Sequence, residues 1–390
     1  MPKELILFSD IELGGGTNTD DFACDGLLVE IINSFQKEKN PIDLILNGDT
    51  FDFLKCPIIR KRFTFYLEHI TANVALEKLD LIYGAHKSVF IALKKFLKQK
   101  KNNIYFIYGN HDYELLFPEI QKKIKNILNS ENVFFQQSYF KNRVYAEHGH
   151  MYDIWFRYNP KKVFRDYNGK KELNIPALFS GFSKYFMDSK ECYPFLDRID
   201  DKLNLLKIKP TFKIKLEFLI VRFFIYQIIF SIFNFIARGY ILSYFKAVFI
   251  SFADLFRGNF EISSKKLYKA MKKVPKGAKV VFFGHVHEKV SAFNERTKKR
   301  MFILDTWRDE YSFSDNLKYI VPKTKRYAKV IVEENGKLKI TLYDYSAKGG
   351  KHLFEKIVAD EYNYFKKIFD NRNKVSSKEY DIDKTTYTIT

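Results

Sequence analysis

The chain has 390 residues, 46% of them apolar, with 40 Phe, 25 Tyr and a formal net charge of +20. That much apolar material excludes global disorder and suffices for one large domain or two smaller ones, while the charge suits nucleic acid, anionic headgroups or an anionic substrate without choosing among them. Three cysteines, Cys24, Cys56 and Cys192, lie far apart with no CxxC pair, which excludes a disulfide framework and fits a reducing compartment.

In chain order, the first predicted element is a short apolar strand, Leu5 to Phe8, ending at Ser9-Asp10 with Glu12 and three glycines beyond. Asp10 falls where the apolar core of a secretory signal would have to continue, so no signal is expected. Asp20, Asp21 and Asp25 then precede Leu27, Leu28, Ile31, Ile32 and Phe35 at helical spacing. A second strand, Ile42 to Leu46, ends in Asn47-Gly48-Asp49 with Asp52 beyond. Phe65 to about Gln99 reads as mostly helical, with Gly84 as a break. A third strand, Ile104 to Tyr108, ends in Gly109-Asn110-His111-Asp112, and Pro118 opens a short helix. Val133 to Phe140 and Val144 to His148 read as two strands around Lys141-Asn142, the second running into His148-Gly149-His150. Strand and helix in alternation are the pattern of a layered α/β domain.

From about Trp155 to Pro275 no strand-end pattern recurs. Arg157, Lys161, Lys162, Arg165, Lys170 and Lys171 form a basic opening, followed by a strongly apolar stretch from Ile214 to Phe256. The 15 uncharged residues between Arg222 and Arg238 fall short of the roughly 20 that span a bilayer. Gln227, Ser231, Asn234 and Arg238 form a narrow polar seam on one helical face. A buried helix of an insertion, a helix lying in a lipid interface or walling a lipid pocket, and a membrane span are the competing readings. Because the stretch interrupts motifs that must meet in space, it is expected to cap them.

Sheet pattern returns at Ala278. Val280 to Phe283 ends in Gly284-His285-Val286-His287. Lys289 to Phe293 and Met301 to Leu304 follow, and then Asp305-Thr306-Trp307. Ala328 to Val332 and Leu338 to Tyr343 flank Glu334-Asn335-Gly336, a hairpin signal. Lys348 to Asn371 is expected to be helical and the remainder to be a polar, loosely packed tail.

Five strand ends thus carry Asp, Glu, Asn and His, and five of the eight histidines are among them. Each residue alone has a plain role as a turn or helix cap; together they suit a dinuclear site, in which two divalent ions about 4 Å apart clamp a phosphoryl centre. Asp10, Glu12, Asp49 and His287 make one ligand set, and Asp49, Asn110, His148 and His285 the other. His111 and Asp52 remain for acid–base or orienting work.

These motifs, Asp10-Ile11-Glu12, Gly48-Asp49-Thr50-Phe51-Asp52, Gly109-Asn110-His111-Asp112, His148-Gly149-His150 and Gly284-His285-Val286-His287, resemble in order the signature of the calcineurin-like metallophosphoesterases. The resemblance implies an α/β fold, a four-layer sandwich of two mixed β-sheets flanked by helices, with a helical cap insertion. On that basis residues 1–154 and 276–347 form one phosphoesterase domain, 155–275 the helical, apolar and basic cap, and 348–390 a C-terminal helix and tail. It further implies metal ligation by Asp10, Glu12, Asp49, Asn110, His148, His285 and His287, with Asp49 bridging. Asn110 would also hold a phosphoryl oxygen. His111 would touch the phosphate and protonate the leaving oxygen, oriented by Asp52 or Asp112.

The departure is Glu12, where the family carries His. A second carboxylate there favours Mn2+, Fe2+ or Mg2+ over Zn2+, so a Mn2+ pair is the expected cofactor, with Fe2+, Mg2+ and Zn2+ as alternatives; a weakened or lost first ion is the other reading. The SDIELG opening and the greasy insertion are similar to the UDP-2,3-diacylglucosamine pyrophosphatases of lipid A synthesis, although that group tends to carry Arg where His111 stands and Asp where His150 stands. That similarity implies an anionic, phosphorylated, lipid-linked substrate. It also implies a cytoplasmic protein, peripheral on the inner face of the plasma membrane, with residues 155–257 meeting anionic lipid. A nuclease or nucleotide phosphodiesterase, and a non-catalytic metal-bound interaction module, are the alternatives. Nucleic acid is the less favoured partner, because the aromatic residues of the insertion are not interleaved with lysines.

Overall fold

The computed structural model describes residues 3–61, 63–67, 69–195, 198–200, 202–208, 225 and 263–389. The apolar stretch from Ile214 to Phe256, with the seam Gln227, Ser231, Asn234 and Arg238, lies outside the described residues apart from Ile225.

Strands β1 (Lys3–Phe8), β2 (Ile42–Asn47), β5 (Asn103–Ile107) and β6 (Val133–Gln136) pair in parallel. On the other side of β1 come β16 (Lys325–Val332), β17 (Leu338–Ala347) and β19 (Tyr380–Ile389), all antiparallel. The result is a seven-stranded mixed sheet in the order β19-β17-β16-β1-β2-β5-β6. A second mixed sheet has five strands in the order β12-β13-β11-β8-β7. Its centre, β8 (Val144–Glu147), β11 (Val280–Phe283) and β13 (Lys299–Leu304), is parallel. Its edges, β7 (Ser138–Lys141) and β12 (Lys289–Asn294), are antiparallel.

Side-chain alternation with period two explains how the layers stack. Leu5, Leu7, Ile45 and Ile107 face the second sheet and meet Val144, Ala146, Val280, Phe282, Phe302 and Leu304 in a core between the sheets. Ile6, Phe8, Leu44, Leu46, Ile104 and Phe106 point the other way. They are covered by α1 (Asp25–Ser34), α2 (Ala72–Ala85), α3 (Lys87–Phe96) and α4 (Pro118–Leu128). The outer face of the second sheet, Val281, Phe283, Met301 and Ile303, packs on Leu267 of the helix Ser264–Ala270 and on Met271. Helices, sheet, sheet and helix make the four layers expected.

Several details differ from expectation. The run from Val133 to Phe140 is two strands: β6 closes the edge of the first sheet, and after Gln137 β7 joins the second. The chain therefore changes layer inside what reads as one apolar run. Residues after 155 are not all helical. A hairpin of β9 (Phe164–Tyr167) and β10 (Lys170–Leu173) turns at Asn168-Gly169, both left-handed, before α5 (Ala177–Cys192) and α6 (Lys202–Ile208). Smaller elements went unforeseen too: the hairpin of β3 (Ile58–Arg60) with β4 (Phe63–Phe65), and the three-stranded sheet of β14 (Tyr311–Phe313), β15 (Tyr319–Pro322) and β18 (His352–Leu353). The end of the chain is not loose. Two short helices, Phe354–Ala359 and Glu361–Asp370, lead to β19, which pairs with β17 over ten positions.

Candidate metal centre

The parallel strands β1, β2 and β5 end on one side of their sheet, and β8 and β11 end together in the other. Hydrogen bonds stitch these ends into one unit. Asp10 N donates to Gly48 O (3.2 Å) and Glu12 N to Asp49 O (2.8 Å). Gly284 N donates to His148 O and Trp307 N to Asp10 O, at 2.9 and 2.8 Å. Asn47 Nδ2 crosses between the sheets to Glu147 O (3.2 Å).

The backbone is strained where the expected ligands sit. Asp10, Glu12, Asp49, His285 and His287 have φ of 51, 55, 48, 74 and 42°, a region that costs a residue with a Cβ roughly 1–2 kcal/mol. Glycines make the close approach possible. A Cβ on Gly48 would strike His148, one on Gly109 would strike Asp49, and one on Gly284 would strike Ser9 and Asp10. The G in each of the GD, GN and GH motifs is thus the space into which a neighbouring strand end fits.

Among the described residues three groups of acidic and imidazole side chains gather here, all buried except the partly exposed His111: Asp10, Asp49 and His148; Glu12, Asp49 and His111; and Glu12, Asp21 and Asp52, with ligand atoms within 4.8 Å of one another in each. Asp49 belongs to two of them. His148 Nδ1 donates to Asn47 O (3.1 Å), which turns Nε2 toward Asp49 Oδ2 at 3.0 Å and Asn110 Oδ1 at 3.1 Å. Without an ion the ring is held protonated: burial opposes its charge, but Asp49 and Asp10 prevail and raise the pKa from 6.5 to about 9, so that Nε2–H donates to these oxygens. An imidazole nitrogen, a carboxylate oxygen and an amide oxygen facing one point fit a divalent ion, which would take the place of that proton. Two candidate sites sharing Asp49 are therefore present. Burial alone would raise the Asp49 pKa, but the adjacent His148 and His111 outweigh it and hold the carboxylate below its usual range.

The other expected ligands lie around these groups. His287 Nε2 is 3.5 Å from Asp10 Oδ1 and 3.3 Å from Glu12 Oε1, with Nδ1 directed to Glu310 at 3.3 Å. His285 stands apart from the three groups. Its backbone N donates to Asp10 Oδ1 (3.0 Å), and its ring presents Nε2 to Asp153 Oδ2 at 3.2 Å. Its ring centroid lies 5.3 Å from that of His148.

His111 Nδ1 is 2.9 Å from Asp52 Oδ1 and 3.6 Å from Glu12 Oε2, and its ring is 14% exposed. Burial opposes its charge, but Glu12, Asp52 and Asp49 prevail and raise the pKa from 6.5 to about 9. Of the two carboxylates considered as its partner, Asp52 is the one in contact. Asp112 instead ties the loops, accepting from Gly109 N (2.7 Å) and Thr50 N (2.9 Å). His150 is a packed core ring between Tyr113 and Tyr158.

Sequence reasoning missed the cations behind the site. Lys55 Nζ lies 2.9 Å from Glu12 Oε2, 2.7 Å from Asp21 Oδ2 and 3.0 Å from Asp52 Oδ2. Asp21 also receives Lys190 of α5 (2.9 Å), Arg198 (2.8 Å) and Arg308 (3.3 Å). Burial and Arg308 oppose the Lys55 charge, but Asp21, Asp52 and Glu12 outweigh them and raise its pKa well above the usual value. Glu12 is held well below the carboxylate range: burial pushes it up, but Arg308, Lys55, His111 and His287 pull it further down. Lys55 sits just beyond the GDTFD motif, yet nothing in its spacing marks it as a partner of Glu12.

A family model described as calcineurin-like phosphoesterase matches residues 5–205. Among solved structures, a conserved uncharacterized protein (predicted phosphoesterase) from Streptococcus pneumoniae TIGR4 is 10% identical, with a TM-score of 0.29 over 91% of this chain and 98% of that one. A dimetal phosphatase from Danio rerio is 9% identical, with a TM-score of 0.33 over 87% of this chain and 95% of that one. No curated protein matches.

Proposed function

The chain belongs to the calcineurin-like phosphoesterase family, a metal-dependent hydrolase, and from that premise we propose that it cleaves a phosphoester or pyrophosphate bond in a lipid-linked substrate, such as a UDP-diacylglucosamine or phospholipid-like molecule. The observation that carries the reading is the convergence of His148 Nε2, Asp49 Oδ2 and Asn110 Oδ1 on one point next to a second group, Glu12, Asp49 and His111, that shares Asp49. Asp10, Glu12, Asp49 and His287 are the residues proposed to hold one divalent ion, and Asp49, Asn110, His148 and His285 the other, with Mn2+ the ion of first choice. When bound, such a pair supplies charge stabilisation for the phosphoryl oxygens.

The chain's own residues supply the rest. His111 is proposed to donate a proton to the leaving oxygen, with Asp52 Oδ1, 2.9 Å from its Nδ1, orienting the ring and favouring its protonated form. Asn110 is proposed to help fix a phosphoryl oxygen. Residues 1–154 and 276–347 are read as the catalytic unit and 155–275 as its cap. The lipid-linked substrate is supported by the apolar stretch Ile214–Phe256 and by the basic residues before it, such as Arg157, Lys161 and Lys162. The same features support a cytoplasmic protein resting on anionic lipid; among the described residues no helix is long and apolar enough to cross a membrane.

Mn2+-stimulated cleavage of bis(p-nitrophenyl) phosphate, abolished by Asp49→Ala, tests the chemistry. A folded, metal-loaded chain that turns over no phosphoester with any divalent ion would sink it. Mass spectrometry of lipid carried through purification tests the substrate class.

A further inference from the structure

Of the three groups at the site, Glu12, Asp21 and Asp52 already contain a cation, and it is a side chain. Lys55 Nζ donates to Glu12 Oε2 (2.9 Å) and to Asp21 Oδ2 (2.7 Å) and stands 3.0 Å from Asp52 Oδ2 as an ion pair, so that one ammonium serves three separate carboxylates. Lys55, Glu12, Asp21 and Asp52 are all essentially shut off from solvent. Glu12 is the junction, because it also belongs to the group with Asp49 and His111. Its two oxygens are in different situations. Oε2 is held by Lys55, whereas Oε1 is buried without a hydrogen bond and faces His287 Nε2 at 3.3 Å.

We infer that Lys55 is a built-in cation of the metal centre: it occupies the third carboxylate group in place of an ion, and it restricts Glu12 to ligation through Oε1. This rests on the two-ion reading above. Lys55 is a positioning residue in this scheme and touches no substrate. Its role follows from charge. Three carboxylates within 4.8 Å of one another repel strongly in a buried setting unless a cation stands among them. Arg308 lies 3.7 Å from Glu12 Oε1 and 3.3 Å from Asp21 Oδ2, and Lys190 and Arg198 also reach Asp21, whereas Lys55 stands within 3.0 Å of all three acids. With Lys55 in place, an ion at Glu12 meets one carboxylate oxygen. With it removed, Oε2 is released as well, and Glu12, Asp21 and Asp52 become an ion site of their own.

The test uses the full chain as wild type, Lys55→Met and Lys55→Met with Asp21→Asn, loaded with Mn2+, freed of excess by gel filtration and counted by inductively coupled plasma mass spectrometry. Lys55→Met is expected to hold one more Mn2+ per chain than wild type, and to gain more in melting temperature on Mn2+ addition. Asp21 belongs only to the third group, so Asp21→Asn is expected to remove the extra ion. Equal Mn2+ in Lys55→Met and wild type, or an extra ion that survives Asp21→Asn, would overturn the inference. Should Lys55→Met fail to fold without metal, Mn2+ is expected to restore its far-UV circular dichroism; failure to do so would overturn the inference equally. The wild-type count judges the two-ion reading by itself, and the difference between variants judges Lys55.

Discussion

The backbone of Gly109 lies directly against the carboxylate of Asp49, in the space that the Cβ of any other residue would need. Gly109→Ala is therefore expected to displace Asp49 and not merely to crowd a loop. Overpacking of this kind costs about 1–3 kcal/mol. The larger effect is expected in bound Mn2+, with a fall below half the wild-type content by elemental analysis. Wild-type metal content in a folded Gly109→Ala protein would show that the loop yields instead of the carboxylate.

His111 and Asp52 make a pair whose value depends on the leaving group. Removing a proton donor slows reactions by roughly 10²–10⁴ when the leaving oxygen is a poor one. His111→Ala is expected to lose that much on an alkyl phosphodiester and far less on a p-nitrophenyl ester, whose leaving group needs no proton. Asp52→Asn should follow in the same direction with a smaller loss. Equal losses on both substrates would assign His111 to binding or metal ligation.

A buried histidine away from the centre predicts how stability varies with pH. His86 Nδ1 is 2.8 Å from Asp25 Oδ1 and its Nε2 is 3.0 Å from Asp20 Oδ2. Burial opposes its charge, but Asp20 and Asp25 prevail and raise the pKa from 6.5 to about 9. Because the folded value exceeds the unfolded one, the stabilisation is complete below about pH 6.5 and is lost as the pH rises through about 9. Its size is on the order of 3 kcal/mol. Urea unfolding at a series of pH values should show a fall for wild type across this window that His86→Gln lacks; parallel curves would count against the ion triad.

The unforeseen strand β19 is also testable. The Tyr387 ring packs 5.2 Å from that of Phe302 and lies 4.9 Å from the Arg300 guanidinium. Tyr387→Ala is expected to cost about 1–2 kcal/mol, read as a lower denaturation midpoint with unchanged slope. No change would mean that β19 adds little to the sheet.

The strand ends were legible because each apolar run stops at a chemically distinctive residue, as at Phe8 before Asp10 and at Phe283 before His285. What the sequence hid has physical reasons. The layer change at Gln137 leaves the apolar pattern intact on both sides, so periodicity alone reads one strand. β19 carries mostly polar or exposed side chains and draws its order from ten backbone pairings with β17, which composition does not report. Lys55 lies 43 positions from Glu12 and Arg308 lies 287 from Asp21; ion pairs between distant residues leave no local spacing to find. Asp153, which holds His285, and Glu310, which holds His287, were missed for the same reason.

Five site residues stand in left-handed backbone, and glycine would relax that conformation. At Glu12 and Asp49, however, glycine would also remove a carboxylate that buried cations hold ionised, and would leave Lys55, Arg308 and the imidazoles without their counter-charge. A library selected only for heat resistance in a chelating buffer should therefore keep acids at positions 12 and 49, although no ion is there to reward them. The ionic frame of the centre would outlast its use, and a descendant that had lost its chemistry would still carry the motifs that advertise it.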